Sequence, residues 1–557
     1  MEDAGCIFLF GYNPADSHPI VARRIVRAKE KGCKIIVADP RHIETARIAD
    51  LYLPIKNGCN VAFLNAFANC LVNDGLYDKE FVAEHTNGFD EWWETIKNYT
   101  PESVQDITGV EPALIHQAAE MYATAKPSAI IGWGMGVCQQ KQNLKTVHTI
   151  ASIACVAGQI GKPNSGLAPV RGQNNVQGSC DMGMLPNLYP GYQKVTDPAV
   201  RAKFAKAWGV PEEKLPLEEG YKLTDLGHLV DEGKVHCFYN YGEDPVQTEP
   251  DSAGMRKTLS ELDLFICQDI FMTQTTMLAD VILPATSWGE HEGVFTASDR
   301  SFQHFDAAVP PKGECRHDWE IFADLSTRMG YPMHYDNTEQ IWDEMRSLCP
   351  KFAGASYEKM VENHGVQWPC TEDSPDDTGT QYLHKDAQFA TADGKGHFYY
   401  YPWTPAKELE SPEYPLSLST VREVGHYSVR TMTGNCRLLA DLADEPGYIQ
   451  MNPEDCQELG IANGDLVRVV SKRGHTITRC QETDRVSKGA TYMTYQWWVG
   501  ACNELTSAAL DPKSHTPEFK YCACRVEKID DQKQAERDVK AQYAAIRARM
   551  GIEVKEV

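Results

Sequence analysis

One arginine heads a run of amides and glycines at Pro169–Gly183, PVRGQNNVQGSCDMG. Each buried amide needs partners for its donors and its acceptor, so such a run cannot fill an apolar core. It is either a solvated surface loop or a recognition loop, in which amides and bare backbone wrap a large heterocycle and Arg171 holds an anion. Four other stretches carry a related mix of Gly, Asn and Asp: GYNPADSHP (Gly11–Pro19), ADPRHIETA (Ala38–Ala46), GWGMGVCQQ (Gly132–Gln140) and YGEDPVQT (Tyr241–Thr248). Each follows an apolar, strand-like run. In open α/β sheets, ligands bind beyond the carboxyl ends of strands, where helix N-termini and small residues admit phosphates. Asp39, behind the second such run, suits a ribose hydroxyl or a guanine edge. The recurrence of this pattern in two α/β sections points to two nucleotide-like ligands, or to one very long one.

Other chemistry-bearing groups are weaker signals. Glu290 and Glu292 flank His291 in a pattern close to H-E-x-x-H, but no second histidine follows at the required spacing, and the triplet reads as structural. His426, in VGHYS, suits a structural or a catalytic role. The 18 cysteines contain no C-x-x-C, whereas zinc and iron–sulfur sites show tight pairs. Most of these thiols therefore read as small core hydrophobes. The close pair, Cys522 and Cys524, is expected on opposite faces of one strand. No residue of the chain is assigned as a metal ligand.

The elements that must position these groups alternate at first between strand and helix. CIFLFG (Cys6–Gly11), a helical pattern over His18–Lys31 and CKIIVAD (Cys33–Asp39) make a βαβ unit. A capped helix is expected from Thr100, and a third buried strand in SAIIGWGMG from Ser128. A second α/β section holds VHCFYNYG, LDLFICQD and ADVILPAT. From about Tyr414 the period shortens toward two, as in GDLVRVVSKRGHTITRCQ and GATYMTYQWW, which predicts barrel strands. A charged helix over Asp530–Met550 closes the chain. The fold class is thus α/β and multidomain: doubly wound α/β domains plus a C-terminal β-barrel. The expected boundaries are 1–172 and 173–287 for two dinucleotide-binding domains, 288–411 for a connecting segment and remnant of an N-terminal domain, and 412–557 for the barrel with its terminal helix.

Bulk properties exclude several classes. With 557 residues, 42% apolar and 24% charged, the chain is globular and too long for one core. A formal charge of −24 argues against a nucleic-acid partner. The most apolar run, VAFLNAFANCLV (Val61–Val72), is too short to span a bilayer, and the N-terminus lacks signal-peptide flanks. A cytoplasmic location is expected.

Long motifs then carry a resemblance: GYNPADSHPIVA, VADPRHIETARIADL, GWGMGVCQ, PVRGQNNVQGSCDMG, DIFMTQTTMLADVILPATSWGEHEGVFT, TVREVGHYSVRTMTGN and YMTYQWWVGACNELT. Over essentially its whole length the chain resembles the catalytic subunits of molybdopterin-dependent formate dehydrogenases of the H type, in the dimethyl sulfoxide reductase superfamily. The resemblance implies oxidation of formate to carbon dioxide, or the reverse, at molybdenum or tungsten held by two molybdopterin guanine dinucleotides. It implies that Met135, Gln139, Gly172, Gln173 and Asn174 line the pterins. Asn13, Asp16, Asp39 and Arg41 match one guanine dinucleotide site, and Gly242, Glu243, Asp244, Thr248, Gln268, Asp269 and Asp318 match the other. Tyr427, Asn503, Lys520 and Tyr521 would close over the pterins from the barrel. Arg171 matches the substrate arginine. The alternatives within and outside the superfamily are a nitrate reductase and a silent cofactor-binding scaffold.

The family begins with a segment absent here: cysteines for a four-iron four-sulfur cluster, a lysine bridging cluster and pterin, and a selenocysteine or cysteine on the metal followed by a histidine. The chain opens after that point, which suggests the downstream part of a selenoprotein whose UGA codon was read as a stop; a genuinely shortened homologue is the alternative. On the first reading the chain alone is inactive. The full enzyme passes electrons to a separate ferredoxin-like iron–sulfur subunit, in a hydrogenase complex or another assembly, without inserting into a membrane.

Overall fold

A computed structural model of the chain describes residues 1–374, 377–440 and 445–551. The run Cys6–Phe10 is buried at every position. It pairs in parallel with Lys34–Ala38 on one side and Ala129–Trp133 on the other. Leu51–Leu53 and Gly166–Pro169 complete five strands in the order Leu51–Leu53, Lys34–Ala38, Cys6–Phe10, Ala129–Trp133, Gly166–Pro169. Alternation decides the two faces: Cys6, Phe8 and Phe10 enter one core, Ile7 and Leu9 the other. The apolar stretch too short for a membrane is the helix Asn60–Asn73, buried continuously from Asn60 to Leu71 in the first of those cores. Among the described residues, no helix is long and apolar enough to cross a membrane.

Strand order reverses between Cys6–Phe10 and Ala129–Trp133, so helices cover both faces and a crevice opens beyond the carboxyl ends of these two strands. Two glycines make the crevice possible. A Cβ on Gly136 would stand 2.6 Å from the Gly11 carbonyl oxygen, and Gly11 itself has φ +55°. Their backbones meet instead through the Gly136 N–H to Gly11 C=O bond, 3.1 Å. The helix expected from Thr100 is shorter than its pattern promised: a 3-10 turn, Glu102–Val104, runs into Gln105–Thr108. Gly109 then turns left-handed (φ +73°) and stops it.

The second α/β section is a three-stranded parallel sheet in the order Val281–Pro284, Leu264–Asp269, Cys237–Tyr241. A smaller antiparallel sheet of Gly293–Thr296, Ser301–Phe305 and Val366–Gln367 follows, over a core of Phe302, Trp342 and Phe352. The chain then returns to the first layer. Phe398 is buried in its core, the Trp403 indole donates to Gly58 O (2.9 Å), and Asn65 donates to Tyr401 O (3.0 Å).

Six strands close the C-terminal barrel, in the order Leu416–Val421, Ala490–Thr494, Tyr448–Met451, Gly474–Glu482, Leu466–Ser471, Cys522–Lys528. Leu418, Ile449, Val467 and Met493 fill it. Cys522 and Cys524 both point into that core, which corrects the expectation of opposite faces: residues two apart on a strand share a face. The terminal helix, Gln532–Arg549, packs Ala535 and Val539 against Leu466 and Val499 and leaves its charged face outside.

Candidate functional site

The carboxyl ends of the first sheet face the barrel across a cavity of ≈ 530 Å³. Ten residues singled out from the sequence line it: Asn13, Asp16, Asp39 and Arg41 from the first two strand ends, Met135 and Gln139 from the third, Arg171, Gly172 and Gln173 from the amide-rich loop, and Lys520 from the barrel. Their contacts hold them in place. Asn13 donates to Asp16 (2.6 Å), Asp39 accepts the Arg41 N–H (3.0 Å), and Arg41 Nη1 reaches Gln450 Oε1 of the barrel (3.0 Å). The Lys520 N–H donates to Gln139 O (3.1 Å), and its ammonium to Thr420 O and Oγ1 (2.7 and 3.0 Å).

The amide-rich loop is gripped residue by residue from outside itself. The Arg171 N–H donates to Ser298 Oγ (3.3 Å), and Arg171 O faces His18 Nε2 (2.5 Å). Gly172 O accepts from Arg422 Nη1 (3.3 Å). The Gln173 side chain donates to Ser428 Oγ (2.7 Å), and the Asn174 N–H donates to the Tyr427 hydroxyl (2.6 Å). The run is therefore a loop clamped between an α/β layer and the barrel beside a cavity, leading into the short helix Val176–Asp181.

A second cluster forms at the carboxyl ends of Cys237–Tyr241 and Leu264–Asp269. Gly242, at φ +61°, donates its N–H to Gln268 O (2.9 Å). Thr248 donates to Glu243 (2.7 Å), Gln268 to Asp318 (2.6 Å), and Thr275 Oγ1 to Asp244 (2.5 Å). The Asp269 carboxylate accepts from the Ile270 N–H (2.6 Å). Asn503 ties this cluster to the barrel by donating to Gln247 O and Thr248 O (2.9 and 3.0 Å). Asn174, Tyr427, Tyr521 and His426 stand outside the lining of the first cavity, as do the residues of this second cluster. Tyr521 donates to Glu410 (2.8 Å). His426, 2% exposed, meets Thr433 Oγ1 through Nδ1 (3.0 Å) and Trp497 edge-on.

Burial drives these ionisable groups toward their neutral forms. It pushes Lys520 down to about 7, helped by the Arg41 charge, and His426 down to about 4, helped by Arg430. It raises Asp39 and Asp16, and lifts Asp244 to about 7 and Asp269 to about 6. Such shifts cluster where a charged ligand completes the site.

The residues present fit a polyanionic heteroaromatic group. Among the described residues the cavity is lined by five basic side chains (Arg41, Lys56, Arg171, Arg422, Lys520) and two acidic ones, in a chain of net charge −24. Four residues of its wall each carry a buried polar atom without a partner: Tyr12 OH, Asn13 Oδ1, His18 Nδ1 and Asn57 Nδ2. Buried polar atoms are almost always satisfied, so this set around one cavity is unusual. His18, Lys56 and Arg422 were not singled out from the sequence. A histidine before the proline of the first helix was a faint hint; Arg422 gave none.

Comparison with known proteins agrees with this geometry. Residues 1–328 match the molybdopterin oxidoreductase family, and residues 416–523 match the molybdopterin dinucleotide binding domain. Formate dehydrogenase H of Escherichia coli (strain K12) is 56% identical over 99% of this chain and 76% of its own. The F420-dependent formate dehydrogenase 1 subunit alpha of Methanococcus maripaludis is 40% identical over 95% of this chain and 77% of its own. The structure of acetylene hydratase from Pelobacter acetylenicus shares the fold, with a TM-score of 0.76 at 22% identity, over 95% of this chain and 78% of that one. The chain belongs to the molybdopterin oxidoreductase family, as an oxidoreductase and a close homologue of formate dehydrogenase H.

Proposed function

We propose that the chain interconverts formate and carbon dioxide, with Arg171 as the group that holds the formate carboxylate. When bound, the molybdenum or tungsten bis-molybdopterin guanine dinucleotide supplies the redox chemistry: formate gives up two electrons and one proton and leaves as carbon dioxide. The chain's own residues bind and orient. Asn13, Asp16, Asp39 and Arg41 serve one guanine dinucleotide, and the Gly242–Asp269 cluster with Asp318 serves the other. A carboxylate suits the paired donors of a guanine edge, and the cavity's cations suit pyrophosphates. Met135, Gln139, Gly172, Gln173 and Asn174 line the pterin space, with Tyr427, Asn503, Lys520 and Tyr521 closing it from the barrel side. His426 acts by packing, since burial keeps its imidazole neutral and its ring lies against Trp497. Electrons leave through an iron–sulfur partner subunit.

The observation that carries this reading is the cationic cavity with Arg171 on its wall and unpaired polar atoms around it. A planar guanidinium matches a carboxylate edge to edge and stays charged when enclosed. The test is formate-dependent dye reduction by the holoenzyme. Arg171→Lys keeps the charge but loses the fork, so kcat/KM should drop about 10- to 100-fold. Arg171→Ala should cost more, with pterin content unchanged in both. Loss of pterin from Arg171→Ala, or full formate turnover by it, overturns the assignment.

A further inference from the structure

The Arg171 guanidinium is anchored at one corner. Its Nε donates to Oε1 of Gln177 (3.0 Å), and neither Nη has a partner among the described residues. Gln177 sits in the short helix Val176–Asp181 and is 6% exposed. Its other amide end is fixed from behind: Nε2 donates to Asp181 Oδ1 (2.9 Å) and to the Tyr192 hydroxyl (2.8 Å). Asp181, 1% exposed, also accepts from the Tyr192 hydroxyl (2.8 Å) and from the Trp368 indole (3.1 Å).

The polarity of this chain is forced. The Trp368 indole N–H only donates, and an ionised carboxylate only accepts. Asp181 therefore serves as a pure acceptor. That fixes which way the Gln177 amide faces: its NH2 end must turn to Asp181, and its Oε1 must turn to Arg171. A flipped amide would set oxygen against carboxylate and NH2 against guanidinium, two repulsive contacts in a low-dielectric pocket.

Resting on the reading of Arg171 as the formate-binding group, we infer that Gln177 and Asp181 are positioning residues that set the rotation of the Arg171 guanidinium. Asp181 orients Gln177, Gln177 grips Nε, and both Nη groups are left to meet the substrate. None of these residues needs to touch formate. Their role is to spare the planar fork a search for its productive rotamer, which shows in substrate affinity rather than in cofactor retention.

The experiment is steady-state formate kinetics on holoenzyme carrying Asp181→Asn, Gln177→Leu and both together, with pterin content measured for each. Each single change should raise the formate KM about 10-fold, with kcat and pterin content within about two-fold of the parent. The double variant should match Gln177→Leu alone, because Asp181 acts through Gln177. Independent effects that multiply in the double variant, an unchanged KM, or a loss confined to pterin content would overturn the inference. If Asp181→Asn does not fold, Tyr192→Phe decides in its place. Removing that hydroxyl should raise KM about three-fold at unchanged kcat, and an unchanged KM overturns the relay. Arg171→Lys, run alongside, separates the two claims. Should it leave the formate KM unaltered, the substrate assignment falls; should it raise KM while the relay variants do not, only the relay falls.

Discussion

His18 Nε2 lies 2.5 Å from the carbonyl oxygen of Arg171, joining the end of the first strand of the sheet to the loop that follows its last. A carbonyl only accepts, so this contact assigns a ring proton to Nε2. Nδ1 is buried on the cavity wall without a partner. Burial lowers the His18 pKa, the bond to the Arg171 carbonyl works against that fall, and the nearby Arg422 charge adds to it. Tyr12 packs edge-on against it at 5.4 Å.

His18→Phe keeps the packing on Tyr12 and deletes the donor. The Arg171 carbonyl then loses its bond inside the protein, a cost of about 1–3 kcal/mol. His18→Gln restores an N–H at similar reach and should recover part of it. Urea unfolding of both variants measures the difference, and formate KM should rise more in the Phe variant. Equal stability of the two would mean that the ring acts by shape alone.

Arg430 and Glu445 form an ion pair with side chains 1% and 5% exposed, beneath the loop that bears Tyr427 and Ser428. The guanidinium lies over Trp497 and Trp498, at 5.2 and 5.6 Å, and Glu445 also accepts the Val499 N–H at 3.0 Å. Arg430→Met strands a buried carboxylate and should destabilise by about 3–5 kcal/mol. Burial already raises the Glu445 pKa, and Arg430 is the main group opposing that rise. Without it, the folded-state pKa climbs further above the ordinary value of 4.5. The native state then binds more protons than the unfolded one, and stability falls as pH rises from there. Denaturation at pH 5 and pH 8 should show a larger deficit at the higher pH, and adding Glu445→Gln should remove most of it.

Much of this organisation is readable from local pattern. CIFLFG and CKIIVAD are apolar runs of strand length ending in Gly or Asp, so the sheet and the residues just beyond it, Asn13, Asp16 and Asp39, follow from topology. Arg422 does not. Its partner Gly172 lies 250 residues away, and that contact exists only once the barrel closes and docks, which no spacing in the chain encodes. The relay through Gln177 and Asp181 was hidden for another reason. The i,i+4 spacing is visible, but the donors from Tyr192 and Trp368 that give it polarity come from elsewhere in the fold. Tyr521 and His426 show the converse case: residues matched by motif that the fold sets beside the cavity rather than on its wall.

Asp244, Asp269 and Glu249 crowd the second cluster with carboxyls lifted by burial to about 7, 6 and 8. Their ordinary values are 3.8, 3.8 and 4.5, so between about pH 4 and 8 the folded chain holds more protons than the unfolded one. Stability of the cofactor-free chain should therefore fall as pH rises through that window, with Asp244 alone contributing on the order of 4 kcal/mol across it. Thermal unfolding at pH 6 and pH 8 reads the slope, and Asp244→Asn should flatten it. A guanine ligand offers donors to the ionised form, so binding of a guanosine nucleotide should tighten toward pH 8 and release protons. Binding that weakens over the same range would argue that these carboxyls face no such edge.

Lys520, on the wall of the first cavity, is the mirror case. It is enclosed, bonded to Thr420 through its ammonium, and lowered to about 7 first by burial and then by the Arg41 charge. The unfolded chain holds that proton up to about pH 10.5, so between 7 and 10.5 the unfolded state binds more protons than the folded one. Stability therefore rises with pH across that window, and below about pH 7 the folded chain carries the full cost of a buried, uncompensated charge. An anionic ligand reverses the sign by giving the ammonium a partner, so loading should add a proton uptake at Lys520 near pH 7.5, opposite in sign to the release from the second cluster. Lys520→Met separates the two states. It should stabilise the cofactor-free chain at pH 6.5, the gain fading above about pH 10, while lowering the pterin content of purified enzyme several-fold. Calorimetry in buffers of different ionisation enthalpy counts the protons, and the variant should lose that uptake. A variant that is less stable without cofactor, or that loads pterin normally, would place the Lys520 ammonium outside the anion site and make Thr420 its purpose.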